Sequence, residues 1–172
     1  MTAAVTQLPI TTIATIAAAE YRKRQQRGQQ IVRNRGMSIA EATRHLRPWL
    51  AIACLCGADL AELAQLLEDR RAVVKSPGDR RHGAEGDISP VDQQEREARW
   101  IVAEDVCPRE HWVPILAAAR DDAFNRYLAA ADDAALTSAA AALQRICLHL
   151  AYDINGHHVP AYQAAVLQKD AA

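Results

Sequence analysis

Aromatic and glycine residues are scarce in this sequence. Aromatic side chains make up 5% of the 172 residues, with a single Phe, and there are only seven Gly. Because β-sheets favour branched and aromatic side chains, this scarcity argues against a mostly β fold. The sequence also lacks a large net charge, because its formal charge is only −1, and 50% of its residues are hydrophobic. That balance is typical of a globular chain and argues against disorder.

Long apolar runs are missing as well. The clearest one, residues 10–19, is about half the roughly 20 residues that span a bilayer. Its positive charges follow the run, whereas those of a secretory signal precede it. We therefore expect no membrane association and a cytoplasmic protein.

Cysteines are few and their spacing suits no metal site. Cys54 and Cys56 are two residues apart in a predicted helix, so their side chains point to different faces, and Cys107 and Cys147 are isolated. We interpret all four as buried small hydrophobic residues in a reducing compartment.

Alanine is the abundant residue. The 36 Ala equal the sum of 15 Leu, 11 Ile and 10 Val. Alanine has the highest helix propensity, and small alanine faces let helices approach closely. We predict an all-α fold, a bundle of about six or seven helices, in which Trp49, Trp100 and Trp112 are large core or interface residues.

Helix signals in the first half begin with an apolar face over Thr12–Asn34, which Gly36 ends. Ser38 and Glu41 have the spacing of a capping box, and Pro48 predicts a bend and a new helix. Gly57 suits the left-handed position after a helix.

A second capping box is predicted at Asp59 and Glu62, before a leucine stripe. In the second half, Pro90 opens a helix that Cys107-Pro108 closes, and a further helix is predicted beyond Pro114. Asp132 or Asp133 caps the next one, and Pro160 opens a last short helix.

The charge divides the chain. Residues 1–75 carry 11 Lys/Arg against 6 Asp/Glu, whereas residues 76–172 carry 9 against 15. We predict a basic N-terminal helical region (1–74), an exposed Gly/Pro-rich linker or loop (75–90) and an acidic, Ala-rich helical region (91–172), with a single shared core left open. Such asymmetry favours a polyanionic partner or head-to-tail association.

The strongest candidate site is a run of basic residues with a local charge of +6 after Glu20 and Glu41 are counted. It consists of Arg22, Lys23, Arg24, Arg27, Arg33, Arg35, Arg44 and Arg47. A phosphate backbone would bind such a surface by releasing counterions. The alternative is a solvated surface whose arginines pair with carboxylates of the acidic half.

A weaker pattern is that of a DNA-reading helix-turn-helix motif. Ala53, Gly57 and Leu63 have the spacing of a helix-turn-helix corner, but the following helix carries acidic residues and no basic residue over positions 59–69. An ordinary helical hairpin has the same pattern.

Metal binding and catalysis have little support. His149, Asp153, His157 and His158 could supply ligands, but histidines are common near helix C-termini, and no cofactor is expected. The adjacent acidic pairs 104/105, 121/122 and 132/133 face different directions in a helix and are interpreted as caps and solvated turns.

Three function classes follow. The first is a small non-enzymatic accessory or regulatory protein that contacts nucleic acid through its basic surface. The second is a helical adaptor that binds an acidic protein partner or a second copy of itself. The third and most distant is a metal-dependent helical enzyme, for which the sequence shows no paired acid and base.

Overall fold

The computed structural model describes residues 12–73 and 90–153, the side chains of 90–93 and 151–153 excepted. Within these ranges the chain forms six α-helices and no strand, which confirms the all-α prediction. The helices are α1 (Ile13–Arg33), α2 (Ile39–Leu55), α3 (Ala61–Val73), α4 (Pro90–Val106), α5 (Arg109–Ala129) and α6 (Ala134–Asp153).

The predicted linker lies outside the described residues except for Pro90, at which α4 begins. The helix predicted after Pro160 also lies outside them. None of the helices in the described ranges is both long and apolar enough to cross a bilayer.

Helix α1 has the predicted bounds. Thr12 is its N-cap and accepts a hydrogen bond from the Thr15 backbone N–H at 3.2 Å. At the other end the Gly36 N–H donates to the Ile31 carbonyl at 2.9 Å, which completes a Schellman motif. Arg35, and not a glycine, occupies the left-handed position there, with φ of 57°.

Helix α2 is longer than predicted. The Ser38–Glu41 capping box forms as expected, but Pro48 lies inside the helix and no new helix begins there. An internal proline removes one backbone hydrogen bond and costs about 3 kcal/mol. Burial of Trp49, Ile52 and Cys54, which follow it, offsets that cost.

Gly57 ends α2 as predicted, with φ of 80° and with a second Schellman bond from the Ala58 N–H to the Ala53 carbonyl at 2.9 Å. In α5 the prediction of a separate start beyond Pro114 is wrong. The helix begins at Arg109 and Pro114 lies inside it. Trp112 and Leu116, two residues before and after the proline, are both buried and keep the helix against the core.

One hydrophobic core includes side chains of all six helices, and α2 lies at its centre with α1, α4 and α5 packed against it. Ile52, Leu63, Val102, Leu116 and Ile146 are each at most 2% exposed. All four cysteines are buried, as predicted, and none of them forms a disulfide. Trp49 and Trp112 are buried, whereas Trp100 is half exposed.

Candidate interaction surface on α1 and α2

The eight predicted basic residues lie on three segments of the structure. Helix α1 carries Arg22, Lys23, Arg24, Arg27 and Arg33, the following loop carries Arg35, and α2 carries Arg44 and Arg47. All are exposed except Arg24, which is partly buried. Within the described chain, no carboxylate lies within 4 Å of the seven exposed ones.

Arg24 belongs to the packing of the molecule. Its guanidinium lies 3.3 Å from the centre of the Trp49 ring, in a cation–π contact. It also forms an ion pair with Glu20, a carboxylate that is only 8% exposed. Arg24 is therefore largely occupied by intramolecular contacts.

The basic side chains do not share one face of α1. Arg22 and Arg33 are eleven residues apart, so they lie on one side of the helix about 16 Å apart. Arg24 lies two residues beyond Arg22, about 200° around the helix. Arg24 and Arg27 therefore lie on the surface of α1 that faces α2, and Arg22 and Arg33 lie on the opposite side. Arg47 of α2 instead lies near Cys107, between α4 and α5.

The surface that faces α2 borders a groove of about 760 Å³ between α1 and α2, which we call the basic groove. Its apolar floor includes Ile31, Val32, Met37, Leu46 and Trp49. Arg24, Arg27, Arg44 and His45 line it, together with Ile39 and with Ile115 of α5. The described lining contains no carboxylate.

Sequence reasoning missed this groove. Residues 22–30 form a polar run, and Ile31 and Val32 behind it look like the end of an ordinary apolar face. Ile39 is the first residue of α2 and is 74% exposed, which no periodic pattern indicates. One sequence feature could have indicated the groove. Four apolar residues lie close together before and after the end of α1, next to arginines without nearby carboxylates: Ile31, Val32, Met37 and Ile39.

The helix-turn-helix candidate has its predicted corner. Ala53 and Leu63 are fully buried on either side of Gly57. However, α3 packs mainly against α4, and Glu62 in its first turn accepts hydrogen bonds from α1. No basic side chain precedes Arg70 on α3, and Arg70 and Arg71 in its last turn pair with Asp105 and Glu95.

Glu62 does not form the second predicted capping box. Its Oε1 accepts a hydrogen bond from Gln25 Nε2 at 2.9 Å and from the Tyr21 hydroxyl at 3.3 Å. Burial, together with the nearby Glu62 carboxylate, raises the pKa of Tyr21 to about 12. Glu62 therefore connects α3 to α1.

The histidine cluster is only partly within the described residues. His149 is partly buried, and burial lowers its pKa. His157 and His158 lie outside the described residues, as does the side chain of Asp153. No group of three or more metal-ligating side chains occurs among the residues that the structure describes.

Most residues of the three acidic pairs form helix caps or ion pairs within the chain. Asp133 caps α6, as predicted, by accepting from the Ala135 N–H at 2.8 Å. Asp122 pairs with Arg126 at 2.9 Å, and Asp121 pairs with Arg120, which is buried. Asp105 pairs with Arg70 of α3.

Comparisons with protein-family models, with curated proteins and with solved structures found no match to this chain. Function must therefore be argued from the site.

Proposed function

We propose that this chain is a small, non-enzymatic helical-bundle protein of the cytoplasm, with an accessory or regulatory role, that contacts nucleic acid through the basic side chains of its first two helices. A single observation carries the proposal. Seven of the eight basic residues are exposed, and no described carboxylate lies within ion-pairing distance of them.

Because no described carboxylate lies within 4 Å of these seven side chains, their charges remain available to an external anion, and Arg44 interacts with Glu41 only at longer range. Arg22 and Arg33 are the best placed for a phosphate backbone, since they lie on one side of α1 and outside the basic groove. Each phosphate neutralised would release counterions and make the affinity depend on salt.

The test is fluorescence anisotropy of a labelled DNA oligonucleotide across a salt series, with Arg22→Gln/Arg33→Gln as the variant. We expect weaker binding and a slope of log affinity against log salt that is shallower by about 1.4 to 1.8. The matched control is Arg70→Gln/Arg126→Gln, which removes the same charge from arginines that are paired with Asp105 and Asp122.

Two results would refute nucleic-acid binding. The first is an unbound oligonucleotide with the wild-type protein at about 50 mM salt, where phosphate contacts are strong. The second is an equal loss of affinity in the variant and in the control, because that would indicate an effect of net charge alone.

The basic groove favours a second function, which is binding of a protein segment. Its floor is apolar, and phosphates would leave that floor uncovered. An amphipathic helix with acidic flanks would cover it and meet Arg27 and Arg44 at the same time.

A designed acidic amphipathic peptide, and its counterpart with lysine in place of the acidic residues, test this function by anisotropy. We expect only the acidic peptide to bind, and Arg27→Glu/Ile39→Gln to weaken it about tenfold or more. Equal binding of both peptides would contradict a role for the groove.

A further inference from the structure

Two exposed isoleucine side chains border the basic groove. Ile39 is 74% exposed and Ile115 is 40% exposed, and both border the same groove. Single exposed apolar side chains are normal, but a grouped set with a polar rim marks an interaction site.

The charges of the groove define what can occupy it. Arg27 and Arg44 on its rim have no described carboxylate within 4 Å, while the rim residue Arg24 is paired with Glu20. The occupant must therefore be acidic, and it must also present apolar side chains to the floor.

The chain itself has a segment of this chemistry. Residues 121–133, which we call the acidic tip, contain four Asp and one Arg, a formal charge of −3. Asp121 and Asp122 pair with Arg120 and Arg126 and Asp133 caps α6, whereas Asp132 has no ion-pair partner among the described residues. Phe124 and Leu128 lie one turn apart on α5 and are 40% and 60% exposed. Helices that bind in grooves use anchors at this spacing.

The tip cannot reach the groove of its own molecule. Ile115 is at the groove rim, and Leu128 lies thirteen residues further along the same helix, about 20 Å away. The helix fixes that separation, so the occupant must come from another molecule.

We propose that the basic groove of one copy binds the acidic tip of a second copy, head to tail, with Phe124 and Leu128 on the apolar floor and the net negative charge of the tip, including Asp132, facing Arg27 and Arg44. This inference rests on the second function proposed above and names its partner. Because the two surfaces differ, a head-to-tail dimer keeps one free groove and one free tip, and association continues beyond a dimer.

Sedimentation velocity of the full chain tests the proposal over a concentration series at low and high salt. We expect species larger than a dimer at about 50 mM salt and dissociation at about 1 M, where charges are screened within about 3 Å. Arg27→Glu/Ile39→Gln removes the groove and Phe124→Gln/Leu128→Gln removes the tip, and each variant alone is expected to be monomeric.

Mixing the two variants gives the sharpest result. The tip variant has an intact groove and the groove variant has an intact tip, so a mixture forms a 1:1 dimer and nothing larger. The single substitution Leu128→Gln, at a position that is 60% exposed, provides a second tip variant that does not depend on tolerance at Phe124. Arg22→Glu is the matched control, because it reverses a charge on α1 outside the groove and is expected to associate as the wild type does.

Several outcomes would overturn the proposal. They are a monomeric wild type at every concentration, a mixture that stays monomeric, and an Arg22→Glu variant as impaired as the groove variant. Large species that disappear on nuclease treatment would also overturn it while supporting nucleic-acid binding. A monomer that still binds the designed acidic peptide would reject the second copy as partner but keep the groove as a protein-binding site.

Discussion

Two glycines in the first half have different backbone conformations, one left-handed and one helical. Gly57 has φ of 80°, where an L residue costs about 1 to 2 kcal/mol. Gly28 lies in the middle of α1, and a Cβ added there would lie 3.8 Å from the Cβ of Ala42, an ordinary contact. The same substitution is therefore expected to act with opposite signs at the two positions.

We expect Gly57→Ala to lower the free energy of unfolding by about 1 to 2 kcal/mol. Gly28→Ala should raise it by about 0.5 to 1 kcal/mol, because alanine loses less backbone entropy in a helix. Urea unfolding monitored by circular dichroism measures both. A Gly57→Ala protein as stable as the wild type would show that the left-handed turn is not needed.

Residue-scale signals in the sequence were reliable where they are local. Ser38 and Glu41 satisfy each other's backbone N–H groups, and nothing distant competes for them. Glu62 has the same spacing from Asp59, but Tyr21 and Gln25 compete for its carboxylate from another helix. That competition depends on tertiary packing, which spacing along the chain cannot reveal.

At the scale of elements, Arg99 of α4 holds the C-terminal end of α2. Its Nη1 donates to the carbonyl oxygens of Cys54 at 3.2 Å and Ala58 at 3.1 Å. Glu95 orients the guanidinium through Nε at 2.7 Å and also binds Arg71 of α3. One carboxylate therefore connects α3 and α4 to the end of α2.

We expect Arg99→Met to destabilise the protein by about 1 to 3 kcal/mol, because two buried carbonyls lose a charged donor. Arg126→Met is the matched control. Its arginine is 62% exposed and paired with Asp122 on the surface, where an ion pair contributes about 0 to 1 kcal/mol. Equal losses in urea unfolding would contradict the role of Arg99.

The same network makes stability depend on pH. Hydrogen bonds from Arg71, together with the nearby charge of Arg99, lower the pKa of Glu95 in the folded protein. The unfolded state therefore binds more protons in acid, so this contribution is full above the ordinary Glu pKa of about 4.3 and is lost as pH falls through the folded value.

Urea midpoints between about pH 3 and 7, a range that spans the ordinary Glu pKa, measure this dependence in the wild type and in Glu95→Gln. We expect the variant to be less stable at neutral pH and to lose less stability in acid. Identical acid profiles would refute the assignment to Glu95.

Helix identity was predictable from the sequence, but helix length was not. The apolar face of α1 gave bounds within one residue, since Thr12 and Asn34 are its caps. Pro48 and Pro114 led to wrong boundaries because the cost of an internal proline is local, whereas the burial of Trp49 and Trp112 that offsets it comes from other helices. The basic groove was unpredictable for the same reason, since it exists only when α1 and α2 pack together.

For the molecule as a whole, the core predicts joint unfolding of both halves. Ile52 of α2 and Ile146 of α6 are at most 1% exposed and belong to one cluster. Truncation of either to Ala should cost about 2 to 5 kcal/mol. Thermal unfolding is expected to remain a single transition by circular dichroism and by tryptophan fluorescence in both variants. Separate transitions would show that the halves are independent domains.

Burial makes the cysteine thiols of the folded protein unreactive towards alkylating reagents. Desolvation raises the pKa of Cys54 to about 11 and that of Cys56 to about 12, while only thiolates react quickly with alkylating reagents. At pH 7 roughly one Cys54 in ten thousand is ionised. We expect iodoacetamide to leave the native protein unmodified and to modify all four cysteines in urea, as mass spectrometry would show, whereas rapid native modification would contradict the burial.

Alkylation in native buffer over hours therefore records rare openings of the core, and the cysteine modified first shows which part of the core opens first. Local opening of the core can therefore be followed over hours through the natural cysteines, without introducing any label.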